Sequence, residues 1–201
     1  MLVKNQEFWH GTDKQNIEEE GSNYSIYLST SFTHALSYSR DYITKGWHPL
    51  YRCQLKKDLN VFCAEDRNDY DKLYKYLIEH NVSEKSTRSI LHKLQDRHWL
   101  LLGDNTRRTL IKIIKFLKYD GYFNWEVDEP GEKENPSYCI FNRNNISASE
   151  TLNEQDIKKY IQKHLSYEHK VQMFEYEDGD MIDEYPPLLS KEDIEGIDNK
   201  R

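Results

Sequence analysis

The spacing of apolar residues along this chain switches from strand-like to helix-like and back, and few folds accept that order. Residues 7–10 (Glu-Phe-Trp-His) and 26–29 (Ile-Tyr-Leu-Ser) are short and β-prone, with Gly21-Ser22-Asn23 as a turn between them. Residues 49–64 alternate well enough for two strands, split at Lys56-Lys57-Asp58. A helical middle follows: Asp69–His80, then Ser83–Arg97, with Ser83 as cap and Ile90, Leu91 and Leu94 on one face. Residues 104–121 carry the clearest helical period. Asn105 or Thr106 is the expected N-cap, Leu110, Ile113, Ile114 and Leu117 form one stripe, and Asp120-Gly121 is the stop. Strands resume at Tyr122–Val127 and Ser137–Asn142, joined by a loop rich in Pro, Gly and Glu. Residues 153–165 then read as an amphipathic helix. Strands, a helical block and strands again predict an α+β domain.

A chain of 201 residues suits one domain, and fifteen Tyr, seven Phe and four Trp can fill its core. The net charge of −7 is unevenly placed. Residues Glu175 to Arg201 hold ten acids and three bases, while the first 174 residues hold 25 of each. The charge step divides the chain into a folded domain over 1–174 and an acidic C-terminal tail over 175–201. The neutral body offers no global basic field for nucleic acid. The tail, which contains Pro186-Pro187, reads as a mobile, solubilising extension or as a dock for a basic partner. Three cysteines without CxxC spacing predict reduced thiols. Eight scattered histidines without an HExxH pattern predict no metal. No apolar run approaches membrane-spanning length and the first residues lack a signal-peptide core, so the expected location is cytoplasmic, without membrane association.

The residues that suggest chemistry lie early. His10-Gly11-Thr12 leaves the first expected strand, and Tyr27 stands in the second. A helix is expected over Thr33–Thr44, with Ala35, Tyr38 and Tyr42 at helical spacing, Thr33 as cap and Ser31-Phe32-Thr33 as the strand-to-helix turn. Each feature alone is ordinary, because strand and helix tyrosines usually just pack. Together they resemble the ADP-ribosyltransferase superfamily, in the branch of diphtheria toxin and the poly(ADP-ribose) polymerases. That branch is marked by His-Gly-Thr/Ser on a strand, a tyrosine on the next strand, and a helical tyrosine eleven residues later. Tyr27 and Tyr38 keep that spacing, and the small Ala35 lies between them. Residues 118–126 and 136–146 look like closing strands of phage and bacterial members. The resemblance spans about residues 6–147 and implies two small, packed, mostly antiparallel sheets flanked by helices.

The resemblance also implies NAD as substrate and a role for each matched residue. His10 would bond a ribose hydroxyl, the Gly11 backbone would hold the nicotinamide carboxamide, and Tyr27 and Tyr38 would sandwich the ring. Thr12 would brace the turn or reach the adenosine side, and Ala35 would leave room beside the pocket. The chemistry is coherent, since a flat cationic ring suits two tyrosine faces. A carboxamide needs one donor and one acceptor, which a glycine backbone supplies at close range. Breaking the ribose–nicotinamide bond builds an oxocarbenium-like centre that negative charge stabilises. In the polymerases a glutamate supplies this charge just before a Tyr-hydrophobic-hydrophobic-aromatic strand. Here Ser137 holds that place, before Tyr138–Phe141, and serine cannot carry the charge. Chain elongation is therefore not expected. Glu126 is the candidate acid, with Asp128, Glu129, Glu132 and Glu134 in the neighbouring loop.

A second branch of the superfamily uses Arg, Ser-Thr-Ser and Glu-x-Glu. Ser29-Thr30-Ser31 fits it in part, but Glu132-x-Glu134 lies in the loop and Glu175-x-Glu177 in the tail. The cations Arg107, Arg108, Lys112, Lys115 and Lys118 read as the solvated edge of a buried helix, with contact to phosphates or a target as the alternative. The function implied is mono-ADP-ribosylation, with a protein side chain favoured over a nucleobase as acceptor, in a toxin, effector or phage setting that includes a host cytoplasm. The alternatives are a non-catalytic module that binds NAD, ADP-ribose or a partner protein, and an NAD glycohydrolase.

Overall fold

The computed structural model describes residues 1–12, 25–41, 46–95, 102–126 and 135–164. The expected loop over 128–136 lies outside the described residues except for Asn135 and Pro136, which belong to a strand instead, and the acidic tail lies outside them entirely. The early strands are β1 (Leu2–Val3), β2 (Phe8–Gly11) and β3 (Ile26–Ser29), followed by α1 (Phe32–Ser37), β4 (Arg40–Asp41) and β5 (Gly46–Trp47). Next come β6 (Leu50–Leu55), β7 (Leu59–Phe62), α2 (Arg67–Glu79), α3 (Glu84–Gln95) and α4 (Asp104–Phe116). The chain continues through β8 (Gly121–Glu126), β9 (Asn135–Ile140), β10 (Ile146–Leu152) and α5 (Glu154–His164). The architecture is α+β.

The expectation of two packed sheets needs correction. Eight strands form one hydrogen-bonded sheet in the order β1-β7-β8-β9-β3-β2-β6-β10, and β4–β5 is a separate ribbon. Within the large sheet β7 and β8 run parallel, and all other neighbours are antiparallel. The sheet curls. Val3, Leu59 and Val61 from one end share an apolar cluster with Cys53, Leu55 and Ile146 from the other, and Phe8, Ile26, Leu28 and Ile140 lie between them. Residues two apart on a strand share a face, so this inner row leaves its alternating neighbours for the outer face.

Helices cover that outer face in two groups. Over β7, β8 and β9, Phe62, Tyr122 and Cys139 pack with Leu73 and Leu77 of α2, Ile90 and Leu91 of α3, and Leu110, Ile113 and Ile114 of α4. Over β2, β6 and β10, Trp9, Leu50 and Leu152 pack with Ala35 and Leu36 of α1 and Ile157 of α5. Two parallel-displaced rings, Phe32 and Tyr160 with centroids 4.2 Å apart, fasten α1 to α5. β3 lies between the two helical groups.

Local signals set most boundaries. Ser83 Oγ accepts from Ser86 N–H, and Asn153 Oδ1 accepts from the N–H groups of Gln155 and Asp156, so α3 and α5 start at side-chain caps. Three expectations fail at helix ends. α1 ends at Ser37 instead of Thr44, because Ser37 and Ser39 hydroxyls donate to the carbonyls of His34 and Leu36. Its cap is Ser31, whose Oγ accepts from His34 N–H, and not Thr33. α4 starts after Gly103 with no side-chain cap, because Thr106 is fully buried. β10 was not anticipated, since only Ile146 and Leu152 at its ends are buried.

Candidate functional site

The gap between the two helical groups exposes Tyr27. Its side chain is 48% exposed, although β3 is otherwise nearly buried. Register explains the direction. Tyr27 pairs with Cys139, which pairs with Tyr122, so all three share the outer face. The Tyr27 hydroxyl lies 2.9 Å from that of Tyr122, whose ring is 1% exposed, and the two rings meet edge to face. Burial, with Cys139 and Tyr27 adding to it, raises the Tyr122 phenol far above its ordinary value. Burial pushes the Cys139 thiol up to about 11. Both groups are therefore neutral at physiological pH and act as a fixed polar floor.

One rung along, Ser29 pairs with Ser137 and Ser137 with Asn124. Ser29 and Ser137 are each 4% exposed, and Ser29 Oγ donates to the Pro136 carbonyl at 3.3 Å. The next rung pairs Asn135 with Glu126. The side chain of Glu126 lies outside the described residues. Asp128, Glu129, Glu132 and Glu134 lie outside them entirely.

α1 forms one wall. A Cβ on Gly11 would overlap the Ala35 carbonyl oxygen and lie 3.1 Å from Ser39 N. Glycine therefore stands here because the helix backbone rests directly on β2. Ala35 is 2% exposed at that contact. Tyr38 caps the helix beside it, 53% exposed, with its ring edge-on to His34 at 5.3 Å. Trp9 pairs with Ser29, so two residues further along the antiparallel register Gly11 comes level with Tyr27. Gly11, Ala35 and Tyr27 are thus brought together, with Tyr38 adjoining Ser39 at the end of α1.

His10 sits differently. It pairs with Tyr51 on the inner face, is 4% exposed, and its ring stands 6.2 Å from that of Tyr51. Its Nδ1–H donates to the Tyr27 carbonyl at 2.7 Å, because a carbonyl can only accept. His10 therefore reaches the cleft through the Tyr27 backbone. Thr12 follows, 4% exposed.

Sequence reading missed Tyr122, and it placed Lys115 only on the cationic edge of its helix. Lys115 of α4 lies 4.8 Å over the ring of Phe141, whose centroid is 6.1 Å from that of Tyr122. The period-two row Tyr122, Asn124, Glu126 was a legible signal for the first. Nothing local links Lys115 to Tyr27. Asp120 was read as a turn residue, and it serves one: its carboxylate and N–H bond Asn60 N–H and C=O at 2.8 and 2.7 Å, which sets the start of β8 beside β7.

Among the described residues no group of three or more His, Cys, Asp or Glu is arranged to hold a metal ion, and no helix is long and apolar enough to cross a membrane. In comparisons with known proteins, no family model matches the chain, and no curated protein or solved structure matches it significantly.

Proposed function

We propose that the protein is a mono-ADP-ribosyltransferase that cleaves the nicotinamide–ribose bond of NAD and transfers ADP-ribose to a target, preferentially a protein side chain. The observation that carries this reading is the pair Tyr27 and Tyr38, each about half exposed, with Tyr27 level with Gly11 on the sheet and Tyr38 at the end of the helix that rests on Gly11. Large aromatic side chains left open to water beside a bare backbone form a slot for a flat ring. A nicotinamide cation held there gains from both tyrosine faces. Tyr122 fixes Tyr27 from below, and His10 fixes its backbone from behind. Ser29, Ser137 and Asn124 offer neutral hydrogen-bonding groups to a ribose, and Lys115 offers a cation to a diphosphate.

In the reaction the C–N bond to nicotinamide breaks and its electron pair leaves with the ring, which departs neutral. The developing cation on ribose is stabilised by the Glu126 carboxylate, and the acceptor's nucleophile then bonds the same carbon and releases a proton. Polymer formation is not part of the proposal, because Ser137 stands where a chain-elongating glutamate would.

A second reading is favoured by that same residue. Ser137 is nearly buried between two neutral neighbours, which suits a module that binds NAD or ADP-ribose without turning it over. Nicotinamide release from NAD, followed by NMR with and without cell extract, separates these readings. The transferase requires release that depends on extract and is lost in both Tyr27→Ala and Glu126→Gln. Binding without release, abolished by Tyr27→Ala alone, gives the module. Release without extract gives a glycohydrolase.

A further inference from the structure

A second concave surface lies away from the cleft, between α2 and α3. Its volume is about 680 Å³, within the range of small-molecule sites. α2 contributes Arg67, Tyr70, Asp71 and Tyr74, and α3 contributes Arg88 and His92 among others. On each helix these positions recur at three- and four-residue intervals, so each set forms one stripe along the groove.

The composition of the groove is unusual for a solvated helix face. Tyr70 and Tyr74 are neighbours on α2, half-buried, with their inner edges packed on the core. The Arg67 guanidinium stands 5.6 Å from the Tyr70 ring. Ion pairing does not exhaust the arginines. Among the described residues, Arg67 bonds Asp71 through Nε, and Arg88 bonds Glu84 through Nε and Nη2. Both terminal nitrogens of Arg67 and one of Arg88 are left for a ligand. Asp71 is the one carboxylate among the groove-lining residues, against two guanidinium groups. Aromatic faces flanked by guanidinium groups match a nucleobase joined to a phosphate, through stacking and charge-assisted hydrogen bonds.

The geometry points to the α2–α3 groove as a nucleotide-binding site, in which a base stacks on Tyr70 or Tyr74 and its phosphate bonds Arg67 and Arg88. This site is independent of the NAD reading of the cleft. Its natural source is either a free nucleotide or a unit of a single-stranded nucleic acid, and the two share the same chemistry.

Titration calorimetry of the full chain with adenosine monophosphate, inorganic phosphate and a short oligoadenylate tests it. Adenosine monophosphate is expected to bind wild type and Tyr27→Ala alike. Tyr74→Leu, which preserves apolar packing, is expected to weaken binding about 10-fold or more, in line with the usual stacking contribution. Arg67→Gln combined with Arg88→Gln, both at exposed positions, is expected to weaken it at least as much with unchanged melting temperature. Oligoadenylate binding tighter than the mononucleotide, and falling steeply between about 50 and 200 mM salt, identifies a nucleic-acid strand as the source. Equal affinity for both identifies the free nucleotide. Binding lost in Tyr27→Ala, retained in the groove variants, matched by inorganic phosphate or absent from wild type overturns the proposal.

Discussion

The backbone of Gly11 lies against the carbonyl oxygen of Ala35 with no room for a methyl group between them. This contact seats α1, whose C-cap is Tyr38, on β2. Gly11→Ala must therefore displace backbone, and not merely a flexible side chain. The expected loss of stability is about 3 kcal/mol, at the upper end for overpacking. Urea denaturation without any ligand measures it. An unchanged midpoint would mean that this glycine is required only by a bound molecule.

Tyr38 predicts the opposite combination. It is more than half exposed and contributes little to the core. Tyr38→Ala should leave the melting temperature within a few degrees and weaken NAD about 10-fold, the scale of one lost ring contact. Tyr38→Phe should restore the affinity. Thermal melts and calorimetry on the two variants make the comparison.

Removal of the Tyr122 hydroxyl tests whether the polar floor matters. Its partner, Tyr27, can turn to water, so Tyr122→Phe should cost about 1 kcal/mol and not more. A loss of several kcal/mol in chemical denaturation would show that Tyr27 or the buried Cys139 thiol finds no substitute partner.

Asp69 is a structural counterpart on α2. It is 4% exposed and accepts from the Tyr119 hydroxyl at 2.5 Å, the Cys63 N–H at 3.0 Å and the Met1 ammonium at 3.2 Å. In Asp69→Asn an amide N–H₂ would face donors in place of a carboxylate oxygen. The expected cost is about 3 kcal/mol. Tyr119→Phe, which leaves the carboxylate two of its donors, should cost about half as much. The two denaturation midpoints should fall in that order.

Alkaline pH should unfold the protein through its buried acids. Burial, together with the hydrogen bond to Asp69, raises Tyr119; burial also raises Tyr122, and it lifts the Cys139 thiol from 9.0 to about 11. The folded state thus holds protons that the unfolded chain loses, so this stability is complete below pH 9 and declines as pH rises. Cys139 alone accounts for about 3 kcal/mol between pH 9 and 11; the tyrosines extend the decline above pH 10. Urea midpoints under reducing conditions should fall over this window, and less steeply in Cys139→Ala.

The sites most easily read were those whose partners lie nearby in the chain. Ser83 and Asn153 cap helices through hydrogen bonds spanning two or three residues, and the Ser83 cap was read from the sequence. The eleven-residue step from Tyr27 to Tyr38 crosses one strand end and one short helix, so both residues could be singled out from the sequence. The place of Tyr122 in a period-two row was legible, but its contact with Tyr27 was not, because the two meet only across an intervening strand, β9. β10 escaped notice because its middle carries no apolar alternation; its pairing with β6 holds it in place.

By itself the sequence determined the succession of strand and helix periods, the Ser83 cap, and two tyrosines eleven residues apart. Tertiary structure alone decided that the sheet is continuous and curled, that His10 turns inward behind Tyr27, and that Ser137 lies between Ser29 and Asn124. The reason is physical. Periodicity and capping depend on interactions within a few residues. A strand's neighbours, and therefore the face each side chain takes, depend on hydrogen bonds to distant segments that the local sequence does not name.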